Sequence, residues 1–343
     1  MTTAKFVISL DFELFWGVGD TQTIAGYGRN ILGEWDAIPQ LLALFRRYEM
    51  RTSWATVGML MCHDYQHWTD MYPAVLPQYA RSNVSPYKMD KLVKEHARLF
   101  FARPLVEQIL ATEGQELASH TYSHFYCNEQ GATPSQFAAD LACARAVAAD
   151  LGVKLRSIVL PRNQLVPEFL ATLPGAGIEV YRGNGKHWLY QNGDAVPGGI
   201  FGRIARFADA CLPLSGSRTV HAQVEGSLVN VPASLFLYPW SARHRALAAM
   251  RVHRVKQCMT MAAQAGSVFH LWWHPHNFGI NTEENLSQLE LVLQHYRVLA
   301  DRYGMRTQCM GDFARCADPA SQVAAPALPV AGLAVVASSQ GAS

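Results

Sequence analysis

Short apolar runs alternate along the chain with longer segments whose apolar residues recur at helical spacing. Lys5–Leu10 is a continuous β-rich run typical of a buried strand, whereas Glu34–Tyr48 repeats its apolar side chains every three or four residues. The pattern predicts strands at Lys5–Leu10, Arg51–Val57, Gln115–Ser119, Arg156–Leu160, Ile178–Tyr181, Leu228–Val231, Ser267–Trp273 and Arg306–Cys309. It predicts helices at Glu34–Tyr48, Lys88–Phe100, Pro104–Thr112, Pro134–Leu151, Pro167–Leu173, Ser241–Ala265 and Glu283–Tyr303, and leaves Gly183–Ser227 as loops with short strands.

Strands that alternate with helices favour a parallel sheet, and about seven or eight strands of this kind suggest a barrel. Polar residues follow three of these predicted strands, in the segments that begin at Asp11, His120 and His274. Parallel (β/α) barrels carry their active sites at the carboxyl ends of the strands. The sequence therefore predicts an α/β fold with one site to which distant parts of the chain contribute.

Composition narrows the class of protein. Half of the 343 residues are hydrophobic and 16% are charged, which permits a large core. The net charge of +2 is spread without basic runs and gives no reason to expect nucleic acid as a partner. After Cys316 the chain is rich in Ala, Pro, Val and Ser, with Asp318 as its single charge. We therefore expect a folded domain over residues 1–316 and a flexible tail over residues 317–343.

The cysteines and the apolar runs bear on localisation. Seven cysteines without a C-x-x-C pair resemble buried thiols of a reducing compartment. The run Lys5–Leu10 is too short for a signal sequence, and no stretch of about 18 apolar residues follows, so no integral membrane segment is expected. These features predict a cytoplasmic protein.

Two groups of residues carry candidate metal chemistry. His120 and His124 are four residues apart, so their imidazoles point the same way if the residues between them form one helical turn. Asp11 and Glu13 end the first predicted strand, and the alternation of a strand places both on one side. Two imidazoles and one carboxylate leave a hydrolytic zinc ion with positions open to water and substrate. The sequence thus indicates a divalent metal site, with zinc as the expected ion.

These motifs resemble the polysaccharide deacetylase (NodB-homology) family, carbohydrate esterase family 4. Ser9-Leu10-Asp11-Phe12-Glu13 is similar to its acidic first motif, and His120-Thr121-Tyr122-Ser123-His124 matches its H-[ST]-x-x-H motif. The resemblance covers roughly residues 5–310 and implies a distorted (β/α) barrel of about seven strands. It departs from the family in three places: the acidic pair is D-x-E, the Arg-Pro-Pro-Tyr motif is represented by Pro161-Arg162-Asn163, and the fourth motif has no clear counterpart, with Trp188 the nearest candidate.

The resemblance implies a role for each matched residue. Glu13, His120 and His124 would bind the metal, Asp11 would be the general base, and Arg162 would orient Asp11. His274 would be the general acid, with His276 as the alternative. The implied reaction is removal of an N-acetyl group from an acetamido sugar, such as a lipid- or nucleotide-linked precursor of a surface polysaccharide. The alternatives are hydrolysis of a small linear amide, as in allantoinase-like relatives, and a decayed barrel that only binds carbohydrate.

Overall fold

The structure is a computed structural model, and it describes residues 2–185, 187–190 and 199–317. Its strands are β1 Lys5–Phe12, β2 Thr52–Thr56, β3 Gln115–Ser119, β4 Ser157–Ile158, β5 Val180–Tyr181, β6 Gln223–Glu225, β7 Leu228–Asn230, β8 Leu235–Phe236, β9 Val268–Trp273 and β10 Arg306–Thr307. Its α-helices are α1 Ile24–Arg47, α2 Tyr65–Asp70, α3 Asp90–Glu95, α4 Arg103–Leu110, α5 Pro134–Ala149, α6 Pro167–Leu170, α7 Gly199–Asp209, α8 Arg245–Ala265, α9 Thr282–Tyr303 and α10 Asp312–Ala317.

The strands form one curled, mainly parallel sheet in the order β6-β7-β5-β4-β3-β2-β1-β9-β8, with β10 beside the start of β1. Among the described strands only the β6–β7 pair is antiparallel, and an isolated antiparallel bridge joins Val220 to Val268. β1 pairs along one edge with β9 and along the other with β10 and then β2. The sheet encloses a half-barrel, so the predicted distorted (β/α) barrel is confirmed.

Alternation along the strands separates two buried layers. Phe6, Ile8 and Leu10 of β1 point outward and pack beneath the helices in the larger core. The opposite face of the sheet holds a layer of smaller side chains near the barrel axis. The strands contribute Val7, Ala55, Ala118, Val159, Val180, Val229 and Val268, and the layer is closed by Met310, before α10, and Phe313, within it. Further along the strands, the side chains that point to this same inner face border the site.

Helix starts and ends follow local chemistry. A capping box between Thr133 and Gln136 begins α5, and Pro134 occupies its first turn. Gly266 and Gly304 end α8 and α9 in the left-handed conformation that glycine adopts readily. α1 begins ten residues before the predicted Glu34, where Thr23 caps it. Gly33 interrupts the apolar pattern of this first part, and a side chain there would clash with the Gly279 carbonyl.

The structure also bears on the expectations for the segment Gly183–Ser227, for the cysteines and membrane segments, and for the domain boundary. Gly183–Ser227 contains α7, which its neighbouring glycines concealed in the pattern. Six cysteines of the described residues are free thiols, and within those residues no helix is long and apolar enough to cross a membrane. Ala317, the first residue of the expected tail, ends α10, and residues 318–343 lie outside the described residues.

Candidate metal centre and active site

The acidic pair lies at the carboxyl end of β1. Ser9 and Asp11 point to the inner face of the sheet, as Val7 does, because side chains alternate along β1. Glu13 lies one residue beyond the end of the strand. Both carboxylates are almost completely buried, with Asp11 at 2% and Glu13 at 3% exposure. Buried carboxylates need counter-charges or protons close by, and the structure gives the two residues different partners.

The histidine segment after β3 is an irregular turn rather than a helical turn. Thr121 and His124 adopt left-handed backbone angles, with φ of 63° and 55°. Side chains hold this turn: Ser119 Oγ accepts from the Thr121 amide at 3.0 Å, and the Thr121 hydroxyl accepts from the Phe125 amide at 2.8 Å. The two imidazoles therefore converge without the helical turn that was the condition for their pointing the same way.

Asp140 on α5 fixes the middle of this turn. It accepts the amide hydrogens of Tyr122 at 2.7 Å and Ser123 at 3.1 Å, and it also accepts from the Ser123 hydroxyl. Although the Tyr122 amide lies beside the histidines, its hydrogen is donated to Asp140 and is not available to an oxyanion.

Glu13, His120 and His124 form a buried cluster that could hold a metal ion. The Glu13 Oε2 atom lies 3.1 Å from His124 Nε2 and 3.5 Å from His120 Nε2. One ligand atom from each of the three residues lies within 4.8 Å of the others. The structure thus brings together the three residues that the resemblance implies as ligands.

The donor set of this cluster fits a cation. His120 Nδ1 lies 2.8 Å from the Val159 carbonyl oxygen and donates its hydrogen there, which leaves the lone pair of a neutral ring on Nε2. A lone pair facing a carboxylate is unfavourable unless a proton or a metal ion lies between them. Burial lowers the pKa of His124 despite its contact with Glu13, and its buried Nδ1 has no hydrogen-bond partner among the described residues. Although burial raises the pKa of Glu13, three histidines lower it well below its usual value.

Asp11 is paired with Arg182, which follows β5. Arg182 Nη1 donates to Asp11 Oδ1 and Nη2 to Asp11 Oδ2, each at 2.7 Å. The guanidinium also donates to Ser9 Oγ and Asn163 Oδ1 and lies 4.3 Å from the centre of the Trp272 ring. Burial raises the pKa of Asp11, but Arg182, His120 and His274 together lower it below its usual value. Asp11 is therefore ionised and held in one orientation.

Arg162, expected to orient Asp11, has other described partners. Its Nη2 donates to both oxygens of Asp20, at 2.8 and 2.6 Å, and its guanidinium lies 4.5 Å from the Tyr126 ring centre. Arg182 fills the expected position beside Asp11. The available signal was that Arg182 directly follows the predicted strand Ile178–Tyr181, two residues after Val180, which points inward.

β9 brings three histidines to the interior. His270 Nε2 lies 2.9 Å from Ser9 Oγ, at the level below the carboxylates. His274 Nε2 lies 3.9 Å from Asp11 Oδ2 and 3.8 Å from Glu13 Oε1. His276 stacks on His274 with ring centres 4.8 Å apart, and its Nδ1 lies 3.8 Å from Glu13 Oε1.

His274 and His276 differ in access. The His274 side chain is 25% exposed and lines the cleft above the carboxylates, whereas His276 is buried. Burial, with a contribution from His274, lowers the pKa of His276 to about 3. A neutral buried ring supplies no proton at neutral pH, which argues against His276, and access to the cleft favours His274.

The cleft has two connected parts. A polar cavity of about 200 Å³ is bounded by Asp11, Glu13, the histidines and Arg162. A larger, mainly apolar cavity of about 370 Å³ shares Asn163, Trp272 and His274 with it. A substrate bound at the carboxylates can therefore extend past His274.

Comparisons with known proteins locate the fold. No protein-family model and no curated protein sequence matches this chain. A protein assigned as a polysaccharide deacetylase from Mycobacterium smegmatis superposes with a TM-score of 0.59 at 13% identity, over 97% of this chain and 96% of that one. A similar assignment from Pseudomonas aeruginosa gives 0.54 at 10% identity, over 91% and 89% of the two chains. An allantoinase gives 0.53 at 10% identity over the same shares. The chain thus has the fold of polysaccharide deacetylases, which confirms the resemblance at the level of fold.

Proposed function

We propose that the protein is a metal-dependent hydrolase that removes an N-acetyl group from an acetamido sugar. One observation carries the proposal: two carboxylates at the end of β1 have different partners. Asp11 is held by Arg182, whereas Glu13 faces His120 and His124. The first arrangement suits a base and the second a metal site, and hydrolysis of an amide uses both.

Glu13, His120 and His124 would hold the metal ion, with zinc as the proposed identity because two imidazoles and a carboxylate are a known zinc ligand set. Bound there, the ion would supply Lewis-acid polarisation of the scissile carbonyl. The remaining chemistry belongs to side chains of the chain itself.

Asp11 would accept a proton from the attacking water. Arg182 donates one hydrogen bond to each Asp11 oxygen, so the carboxylate is oriented, and each oxygen keeps a lone pair for the water. The water oxygen forms a bond to the carbonyl carbon as its proton moves to Asp11. This carboxylate stays ionised at neutral pH because its pKa is lowered, chiefly by Arg182 acting against burial.

His274 would protonate the leaving amine as the carbon–nitrogen bond breaks. Its Nε2 lies within 4 Å of both carboxylates and its ring borders the cleft. The products are acetate and the free amino sugar. Arg162 stays in the proposal as a residue of the cleft wall, because it lines the same cavity as Asp11.

The proposed substrate is a lipid- or nucleotide-linked precursor of a surface polysaccharide, processed in the cytoplasm. Support for this compartment comes from the free cysteines, four of which are buried. A small linear amide is the second candidate, favoured by the likeness of fold to an allantoinase. A decayed barrel that only binds carbohydrate is disfavoured, because base, acid and metal-ligand groups are all present around one cleft.

The test is acetate release by metal-analysed protein. N-acetylglucosamine, its uridine diphosphate conjugate and allantoin would be incubated with the purified protein, and with Asp11→Asn and Glu13→Gln as matched controls. We expect acetate from an acetamido sugar only, and much less from either variant. Ring opening of allantoin without acetate release would favour a small non-sugar amide as the substrate, with the scissile bond in a ring rather than in a linear amide. Stoichiometric metal with no hydrolysis of any compound would overturn the acetamido-sugar proposal.

A further inference from the structure

The larger cavity beyond His274 has a distinct character. Its walls carry half-buried aromatic rings, supplied by α7, β8, β9 and neighbouring loops: Tyr190, Phe207, Phe236, Tyr238 and Trp272. No acidic side chain lines it among the described residues. Such a surface suits a flat ring or an apolar body attached to the group that leaves past His274.

A buried arginine, Arg218, stands in the wall of this cavity. The residue is 9% exposed, its Nε donates to the Ser234 carbonyl at 2.8 Å, and its guanidinium lies 3.9 Å from the centre of the Tyr190 ring. Its two Nη atoms have no hydrogen-bond acceptor within the parts of the chain that the structure describes. These atoms can each donate two hydrogen bonds in the fixed plane that carboxylates and phosphates match.

Among the described residues, positive charge exceeds negative charge around Arg218. Asp209 is the buried acid nearby, and its oxygens accept from the Tyr190 hydroxyl at 2.7 Å and from Ser215 at 2.6 Å. A second buried arginine, Arg254, lies 3.9 Å from Asp209. Within the residues that the structure describes, two buried guanidinium groups thus lie near one buried carboxylate, an excess of positive charge in a poorly solvated region.

The backbone next to Arg218 is shaped for the guanidinium. Gly185 also lines the cavity, and a Cβ atom placed on it would lie 2.8 Å from Arg218 Nη2. Any larger residue would press on the atoms that lack acceptors. The Ser234 carbonyl accepts from Arg218, its amide donates to the His270 carbonyl, and its Oγ accepts from the His270 amide. His270 lies on β9, four residues before His274. Four residues of strand span about 13 Å, which sets the scale between the two ends of the cavity.

We propose that Arg218 binds an oxyanion of the substrate, a carboxylate or a phosphate, carried on the ring-bearing leaving-group half that fills the aromatic cavity. This assignment of substrate class rests on the proposed function, since it places the scissile amide at His274. It excludes a small neutral amide as the preferred substrate. It also distinguishes the site from one that requires only an uncharged acetylated sugar.

The test is ligand binding rather than turnover, so that it does not depend on hydrolysis. Calorimetric titration would compare 2-naphthoate and 2-naphthyl phosphate with the neutral 2-naphthalenemethanol. We expect at least one anion to bind tenfold or more tightly than the alcohol, and the better of the two identifies the oxyanion. Arg218→Met should abolish this preference, whereas Arg145→Met, a change of an exposed arginine on α5, should preserve it.

Two further variants separate the possible outcomes. Glu13→Gln should retain the preference for the anion, because Glu13 belongs to the metal cluster and not to the Arg218 cavity. Loss of the preference in Glu13→Gln would mean that the anion binds at the metal cluster, and the proposal would fail. If Arg218→Met does not fold, Gly185→Ala decides, because it keeps the charge but crowds Nη2 and should reduce the preference several-fold. Equal binding of anions and alcohol, or an unchanged preference in these cavity variants, would overturn the assignment whether or not the protein proves to be a deacetylase.

Discussion

Arg182 donates one hydrogen bond to each carboxylate oxygen of Asp11, both at 2.7 Å, from a position 171 residues further along the chain. Glu13, only two residues from Asp11, faces histidines instead. Two acids of one strand end therefore differ in charge environment although their burial is nearly equal. Their partners, rather than their own chemistry, distinguish the two carboxylates.

The first prediction concerns this pairing. Arg182→Gln should lower kcat roughly 10- to 150-fold, since a hydrogen bond to a charged group contributes about 1.5–3 kcal/mol, while metal content stays unchanged. Arg162→Gln is the matched comparison and should cost much less. Because a buried carboxylate without its partner destabilises the fold, melting curves are needed, and Arg182→Lys keeps the charge if the glutamine variant is unstable. A larger loss of kcat in Arg162→Gln than in Arg182→Gln would mean that Arg162, and not Arg182, orients Asp11.

The second prediction concerns metal binding. The protein should carry about one divalent ion per chain, and His120→Ala or His124→Ala should lose most of it, because two protein ligands rarely hold zinc. Glu13→Gln should weaken affinity, whereas Asp11→Asn should keep the ion and lose roughly 10²–10⁴ in kcat. Metal analysis and single-turnover assays measure the two effects. Metal lost in Asp11→Asn but kept in Glu13→Gln would mean that the two carboxylates have exchanged roles.

The third prediction separates the two stacked histidines. His274→Ala should retain metal and lose rate mainly on amides, because an amine leaves only after it is protonated. An activated ester, whose leaving group needs no proton, should be affected much less. His276→Ala should not show this dependence on the leaving group, since its ring is buried and uncharged at neutral pH. The opposite assignment would follow if the dependence appeared only in His276→Ala.

The fourth prediction concerns pH and Asp140. Burial raises its pKa to about 6, although Ser123 and the amides of the histidine turn act in the other direction. The folded state thus prefers the protonated form, a stabilisation that is complete below the unfolded pKa near 4 and is lost as pH rises through about 6. Two pH units correspond to roughly 3 kcal/mol.

The free energy of unfolding of the wild type should therefore fall relative to that of Asp140→Asn between pH 4 and 7. Urea denaturation at several pH values gives this difference. A constant offset between the two proteins is expected from the altered hydrogen bonds, so only the change with pH is diagnostic. Parallel curves would show that Asp140 is already ionised at low pH.

The fifth prediction concerns the proposed domain boundary. Deleting residues 319–343 should leave melting temperature and activity intact, because a nearly uncharged Ala/Pro/Ser-rich segment buries little. Deletion from residue 310 is the contrasting variant, since it removes Met310 and Phe313 from the inner core layer. A marked drop in melting temperature for the shorter deletion would show that the tail packs on the domain.

Most strands were predictable because each is a short apolar run between turn residues. β3 was predicted with its observed limits, Gln115–Ser119, because Gly114 and His120 bound it sharply. α7 and the early turns of α1 were not, since glycines interrupt their periodic pattern. At Gly33 the glycine serves a contact with Gly279 that is distant in sequence, which no local rule reveals.

The site divides in the same way. The positions of Asp11, Glu13, His120, His124 and His274 were predictable from strand ends and spacing, and the structure brings them around one cleft. The partner of Asp11 was not, because the choice between Arg162 and Arg182 depends on which loop turns inward beyond its strand. Arg218 was also missed, since it lies in an irregular segment and acquires its meaning only from the cavity around it.

The central place of β1 in the sheet has a consequence for how the protein assembles. β1 pairs with strands that begin as far along the chain as residues 268 and 306, and His120 and Arg182 reach its end from between them. Contacts of such long range form late and together during folding. An amino-terminal fragment emerging from the ribosome would lack part of this cluster, so a nascent chain cannot assemble the proposed site until β9 and His274 have been made.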